Sequence, residues 1–229
     1  MQIKVLGTRG EIKASAPYHS KKSGVFINNT ILLDIGEESF LHHQPTAIFI
    51  THLHPDHAYF VRKGNAYAST TPLYAPETYQ GLPIKVINHT MTVATYTITP
   101  IPTVHSIKVK SQAYLIEHGN KKILYTGDMI WIEKQYHHLL HNLDLVITEA
   151  SSFKAGGLIR RDKKTGNIFG HTGIPNLVKF FASYTNTMLF VHFGTWFYAD
   201  KEKRKLFTVL AKEYNVTIMV GYDGLELTI

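Results

Sequence analysis

Short apolar runs separated by polar turns recur along the whole chain. Residues 2–6 (QIKVL) alternate and read as a strand, and Gly7-Thr8-Arg9-Gly10 reads as a turn. VFINN (25–29) and ILLD (31–34) predict a hairpin with Asn28 and Asn29 near its turn. TAIFI (46–50) is a short strand rich in β-branched and aromatic residues. Further strands are predicted at 84–87, 92–98, 112–118, 122–126, 145–149, 188–192 and 217–220, with Gly119-Asn120 as a hairpin turn. Two segments show helical spacing instead. In 175–184, Leu177, Val178, Phe181 and Tyr184 share a face, with Pro175 in the first turn. In 201–214, Leu206, Phe207, Leu210 and Tyr214 do so, with Asp200 as N-cap. Segments 37–43 and 132–141 also read as helical. With helices interspersed among strands and no linker, repeat or low-complexity tract, the pattern predicts one layered α/β domain, residues 1–229, built on two sheets.

Composition narrows the chemistry. Of 229 residues, 44% are apolar, enough for a sizeable core. Cysteine is absent, which excludes disulfides, thiolate ligands and a cysteine nucleophile. The start, MQIKVLGTRG, lacks the basic and apolar regions of a signal peptide, and no apolar run approaches the ~18 residues of a membrane helix. The expectation is a cytoplasmic protein without a membrane partner. Lys and Arg outnumber Asp and Glu by 24 to 17, and the net charge of +7 suits polyanionic partners as well as simple solubility. Fourteen histidines are more informative, because imidazole is the commonest metal ligand.

Those that decide the matter lie in Thr51-His52-Leu53-His54-Pro55-Asp56-His57, directly after the TAIFI strand. His52 and His54, at i and i+2, can point the same way from a strand end. The bend at Pro55 then turns Asp56 and His57 toward a second position. Four compact donors in six residues suit a pair of divalent ions. Imidazole with carboxylate favours zinc, and manganese or iron also fit. The competing reading, a chance surface cluster, accords poorly with a buried strand leading into the run.

This run resembles the HxHxDH signature of the metallo-β-lactamase superfamily, whose fold is a four-layer αββα sandwich with metals at the strand ends between two similar halves. Thr103-Val104-His105-Ser106 resembles the third-histidine motif, Tyr125-Thr126-Gly127-Asp128 the strand end with the bridging aspartate, and Leu189-Phe190-Val191-His192 the strand that ends in the last histidine. Leu33-Asp34-Ile35-Gly36 matches the Asp-x-Gly turn ahead of the first motif. The resemblance implies that His52, His54 and His105 hold one metal, that Asp56, His57 and His192 hold the other, and that Asp128 bridges them. It further implies a hydroxide between two metals ~3.5–4 Å apart, oriented or deprotonated with the help of Asp56, and no organic cofactor. His54 stands where oxygen-reducing di-iron relatives usually carry a carboxylate, which favours hydrolysis over redox chemistry.

Within the superfamily, LGTRG, LLDIGE, THLHPDH and YTGD look like the ribonuclease Z branch of phosphodiesterases. Glu149 and His171 match a Glu–His pair of that branch, in which the histidine assists the leaving group; Thr148, Ser151, Thr172 and Gly173 depart from the surrounding pattern. Only 22 residues separate His105 from Asp128, too few for the protruding arm with which ribonuclease Z grips tRNA. The expected function is therefore a metal-dependent phosphodiesterase acting on RNA, a nucleotide or another phosphate ester, the alternative being a carboxyl-ester or lactone hydrolase with the same two-metal site. A non-catalytic binding module is disfavoured by the complete ligand set. Arg160 and Arg161 are candidates for holding substrate phosphate. Lys21-Lys22 could serve similarly, whereas Lys201 to Lys205 fit a solvated helix face, and His137, His138 and His141 read as exposed helix residues. The sequence leaves monomer and homodimer both open.

Overall fold

The computed structural model describes residues Met1–Ile229. In chain order the strands are β1 (Gln2–Gly7), β2 (Gly24–Ile27), β3 (Ile31–Leu33), β4 (Ala47–Phe49), β5 (Leu73–Ala75), β6 (Ile84–Val86), β7 (Met91–Val93), β8 (Tyr96–Val104), β9 (Gln112–His118), β10 (Lys121–Tyr125), β11 (Trp131–Ile132), β12 (Leu145–Ala150), β13 (Arg160–Arg161), β14 (Ile168–Phe169), β15 (Thr187–Phe193), β16 (Thr217–Val220) and β17 (Glu226–Thr228). Three α-helices join them, α1 (Ile174–Phe181), α2 (Thr195–Ala199) and α3 (Lys205–Tyr214). No helix is long and apolar enough to cross a membrane.

Two large sheets result. The first has the order β17-β1-β2-β3-β4-β5-β6, and the second β11-β8-β9-β10-β12-β15-β16, with β7 paired to β8. In each, antiparallel hairpins give way to a parallel series: β3, β4, β5 and β6 in one, β10, β12, β15 and β16 in the other. Parallel strands covered on both faces read as unbroken apolar runs, and β4 and β12 are buried at every residue.

The strand alternation explains how four layers arise. One set of side chains, including Val5, Ile27, Leu33, Phe49, Tyr114, Ile123, Ile147 and Leu189, fills the space between the sheets. The opposite set from the second sheet, including Leu124, Val146 and Phe190, packs under Ile174, Leu177, Val178 and Phe181 of α1 and Phe207 and Leu210 of α3. The opposite set from the first sheet, including Phe26, Leu32 and Ile48, is covered by Phe40, Tyr59 and Phe60. These last residues sit on 3₁₀ turns (Glu38–His43, Tyr59–Val61), so the outer layer on this side is thinner than its counterpart.

Several predicted elements take a different form. Segment 37–43 is a 3₁₀ turn, as is the core of 132–141 (Lys134–Leu139). The helix expected over 201–214 begins as a 3₁₀ turn, where Asp200 accepts the Glu202 amide at 2.9 Å, and becomes α-helical only from Lys205. The strand expected over 92–98 is a hairpin that reverses at Ala94, whose φ is 52°. β8 then continues through Pro100 and Pro102 to Val104. Turns at Asn28-Asn29 and Gly119-Asn120 occur where expected, with positive φ at Asn28, Asn29 and Gly119.

Candidate metal centre

The strand ends of both sheets open onto one cavity of about 530 Å³, lined among others by His54, Asp56, His105, Asp128, His171 and His192. The first sheet delivers its donors through the loop after β4. Thr51 and His52 are buried, and the chain turns so that the amides of His57 and Ala58 both bond the His54 carbonyl, at 3.0 and 2.9 Å. The Ile35 amide bonds the His57 carbonyl at 2.7 Å, which fastens this loop to the one after β3. From the second sheet, β8 leads to His105, β10 to Asp128, β12 carries Glu149 and β15 carries His192. Gly127, at φ 58°, lies so close to Thr51 that a side chain there would collide with it, so the two halves meet backbone to side chain beside Asp128.

The hydrogen bonds fix which ring nitrogens face inward. Asp34, at φ 57° and fully buried, receives the Thr51 amide at 2.7 Å, the Tyr125 hydroxyl at 2.8 Å and His57 Nδ1 at 2.7 Å. A carboxylate only accepts, so His57 Nδ1 carries the proton of this bond and Nε2 is the ring nitrogen turned away from Asp34. The Thr51 hydroxyl lies 3.0 and 3.1 Å from the Asp34 oxygens and donates to them, which leaves it to accept from His52 Nδ1 at 3.0 Å. His105 Nδ1 likewise donates to the Gly170 carbonyl at 2.9 Å. The Nε2 atoms of His52, His57 and His105 therefore converge on Asp128, at 3.7, 3.4 and 3.8 Å from its Oδ2. His105 Nε2 is 3.3 Å from His54 Nδ1, and His57 Nε2 is 3.4 Å from Asp128 Oδ2.

That arrangement fits metal ions on its own terms. His52 Nε2, His57 Nε2 and Asp128 Oδ1 are buried with no hydrogen-bond partner, which is costly unless a cation completes them. Donor atoms lie within 4.8 Å of one another in His52/His54/His105, in Asp56/His57/His192, and in His52/His57/Asp128. The first two triads are the two ligand sets expected from the sequence, and Asp128 stands between them. Burial and the neighbouring imidazoles keep His52, His54 and His105 below the normal histidine pKa, with His54 at about 4, so their lone pairs are free at neutral pH. Burial also opposes charge on His57, but Asp128, Asp34 and Asp56 outweigh it and drive that pKa well up. The carboxylates thus demand positive charge at the centre, which a divalent cation supplies as well as a proton does. Burial would raise the Asp56 and Asp128 pKa values, but the surrounding imidazoles prevail and hold both carboxyls ionised.

His171 belongs to neither of those two ligand sets, although its donor atoms also lie within 4.8 Å of those of His105 and Asp128, at the cavity wall. Its Nδ1 bonds Glu149 Oε2 at 2.8 Å, and Glu149 Oε1 takes the Met129 amide at 2.7 Å. Burial lowers the His171 pKa, yet Glu149 and Asp128 overcome it and raise the value to about 9. Two of the residues that depart from the ribonuclease Z pattern have side-chain partners: Thr148 accepts from Thr126 at 2.9 Å, and the Ser151 hydroxyl lies 3.1 Å from His192 Nδ1. His192 itself adopts φ 52°, a conformation rare for a residue with a Cβ, and its Nε2 is 2.9 Å from Asp56 Oδ2.

Arg160 and Arg161 are not brought into this cavity. They lie exposed on β13, and Arg161 donates to the Gly166 carbonyl at 2.6 Å. The cation that lines the cavity is Lys154, in the loop after β12. Sequence reading passed over it because a single Lys between Phe153 and Ala155 carries no spacing signal. Asp34 was noted only as part of a turn motif, and its role in aligning His57, with Tyr125 and Thr51, emerges from the contacts. His138 and His141 are exposed and His137 is half-buried, away from the cavity.

Comparison with known proteins agrees with this geometry. No curated protein matches the chain. Among solved structures, the metallo-beta-lactamase fold protein YhfI from Bacillus subtilis superposes with a TM-score of 0.71 at 19% identity, covering 99% of this chain and 98% of that one. A diphosphatase of the PhnP family gives 0.67 at 15% identity over 100% and 97% of the two chains. The short form of human tRNase Z gives 0.65 at 18% identity over 100% and 99%. The profile of the beta-lactamase superfamily domain matches residues 37–193, which contain every His and Asp of the triads, and the chain belongs to that family.

Proposed function

We propose that this protein is a two-metal hydrolase that cleaves phosphodiesters. The observation that carries the reading is the pairing of two complete donor triads with a Glu149–His171 pair that lies outside them, on the wall of the same cavity. His52, His54 and His105 would hold one ion, Asp56, His57 and His192 the other, with Asp128 shared. Two divalent ions held there, zinc by preference for this donor set, would supply positive charge against phosphoryl oxygens and acidify water.

The chain's own groups then divide the work. Asp56, ionised and buried, would orient or deprotonate the attacking water. His171, protonated at neutral pH and held by Glu149, donates a proton to the departing oxygen as the P–O bond breaks. Lys154 offers a cation to a non-bridging phosphate oxygen at the cavity mouth. Phe153, Leu158 and Trp196 give the cavity apolar walls that limit water around the reacting atoms. The fold shared with proteins named a diphosphatase and a tRNase Z supports phosphorus–oxygen chemistry. Without the protruding arm, long precursor tRNA should be a poor substrate.

The deciding assay is a panel of phosphodiesters, beginning with bis-p-nitrophenyl phosphate, beside carboxyl esters and lactones, each with added zinc or manganese. Diester cleavage above ester cleavage is expected. Lactone or ester turnover without any diester turnover would overturn the substrate assignment in favour of carboxyl-ester hydrolysis. Efficient site-specific trimming of precursor tRNA would overturn the expectation that the arm is needed for it.

A further inference from the structure

Between Glu149 and His171 the chain leaves the sandwich and forms a small hairpin of its own, β13 against β14, which belongs to neither large sheet. Its root is fastened to the two histidines that face the cavity from the second sheet side. The Leu158 amide bonds the His171 carbonyl at 2.7 Å, and the Gly170 amide bonds the His105 carbonyl at 2.7 Å. His105 Nδ1 returns a bond to the Gly170 carbonyl. Gly170, at φ 118°, packs so tightly on the Leu158 carbonyl that only glycine fits, which closes the root. Leu158 itself lines the catalytic cavity.

The tip is built to present cations. Asp162 spends its carboxylate on the turn, accepting the Thr165 amide at 2.7 Å, the Thr165 hydroxyl at 2.8 Å and the Lys164 amide at 3.1 Å. Arg161 is engaged with the Gly166 carbonyl. Arg160, Lys163 and Lys164 are exposed and form no ion pair, so three cations stand within five residues of one small hairpin. Beside the hairpin runs a groove of about 780 Å³ lined by Asn167, Ile168, Lys108, Lys110 and Trp131. Trp131 is 48% exposed and pairs with Val104, the residue before His105. The groove's carboxylates, Glu77 and Glu133, are engaged by the Lys110 amide and the Gln135 side chain.

We infer that the β13–β14 hairpin is a binding arm for single-stranded nucleic acid, holding the backbone of a strand whose scissile phosphate lies in the adjacent cavity, with Trp131 as a stacking platform for a base. This rests on the reading of the cavity as acting on phosphodiesters. Unpaired cations on a rigid turn neutralise successive phosphates, and an exposed indole accepts any base on its face. Arg160 and Arg161 were candidates for holding substrate phosphate from a loop beside the site; the hairpin sets both outside the cavity, exposed on β13.

The test uses metal-replete protein and a fluorescent, cleavage-resistant phosphorothioate oligonucleotide of about 12 nucleotides, a length within the usual site size. Affinity is followed by anisotropy between about 50 and 200 mM salt. The triple variant Arg160→Ser/Lys163→Ser/Lys164→Ser should bind at least ~10-fold more weakly, with a salt slope shallower by about 2, at ~0.7 per phosphate contact. Trp131→Ala should lose roughly tenfold with the salt slope unchanged. Lys85→Ser/Lys179→Ser/Lys212→Ser removes the same charge elsewhere and should bind as the parent does. Equal loss in both triple variants would overturn the proposal, as a general charge effect. So would unchanged binding by the hairpin variant, or binding of anionic lipid vesicles with none of the oligonucleotide. Hydrolysis of bis-p-nitrophenyl phosphate by the parent protein reports on the cavity separately, so failure of the arm and failure of the phosphodiesterase reading are distinguishable.

Discussion

The two sheets share one plan and contribute to the candidate metal centre in opposite ways. Both pass from antiparallel hairpins to a parallel series and present strand ends to the same cavity. The first sheet concentrates His52, His54, Asp56 and His57 in a single loop after β4. The second spreads its contribution, with His105 after β8, Asp128 after β10, Glu149 on β12, His171 ahead of α1 and His192 on β15. A contiguous loop sets its geometry by local bonds, and here Asp34 and Thr51 do most of that aligning. Dispersed donors depend on the register of β10, β12 and β15, so each is held by its own strand and can be removed singly.

The contrast yields predictions in descending size. His54→Ala and His192→Ala remove one donor from each half. Both should lose metal together with turnover, the loss being ~10³-fold or more, because several kcal/mol of charge stabilisation disappear. Retention of full metal content by either variant in elemental analysis would show that the histidine removed is not a ligand.

Next comes His171, the member of the second half that lies outside the triads. His171→Ala should keep its metal and lose ~10²–10⁴-fold in turnover of substrates with poor leaving groups, with a smaller loss for nitrophenolate esters. Because Glu149 and Asp128, against burial, hold the His171 pKa near 9, the protonated form prevails at neutral pH, and this activity should fall as pH rises through that value. Removing the carboxylate with Glu149→Gln lowers the pKa, so the alkaline limb of the pH–rate profile should move toward neutrality. A limb that stays in place would detach Glu149 from the role.

The smallest effect belongs to the support of the first half. Asp34→Asn keeps the shape but withdraws the carboxylate that orients His57 and Thr51, and metal affinity should drop ~10–100-fold, as is usual when such a partner of a ligating histidine is lost. Metal titration with a competing chelator reads this directly. An unchanged affinity would mean that the loop after β4 holds its own shape without Asp34.

The same contrast governs what could be read from the chain. Donors from one loop announce themselves as THLHPDH, whereas Asp128 or His192 alone carries no signal and becomes visible only as part of an ordered set. The long apolar strands were equally legible, since burial on both faces leaves a continuous run. β5 and β17 were passed over, being three-residue strands held by their neighbours rather than by their own pattern. The hairpin at Ala94 was hidden because neither Ala94 nor Thr95 is a residue that favours a turn, and Pro100 and Pro102 disguised the remainder of β8. Lys154 and the exposed site of Arg160 could not be foreseen, because they depend on where the loop after β12 and the small hairpin fold back against the strand ends.

The metal content of the purified protein tests the central claim most directly. Two converging triads with a shared Asp128 predict close to two divalent ions per chain after metal loading and removal of excess, measured by elemental analysis. One ion or none under those conditions would contradict the paired centre.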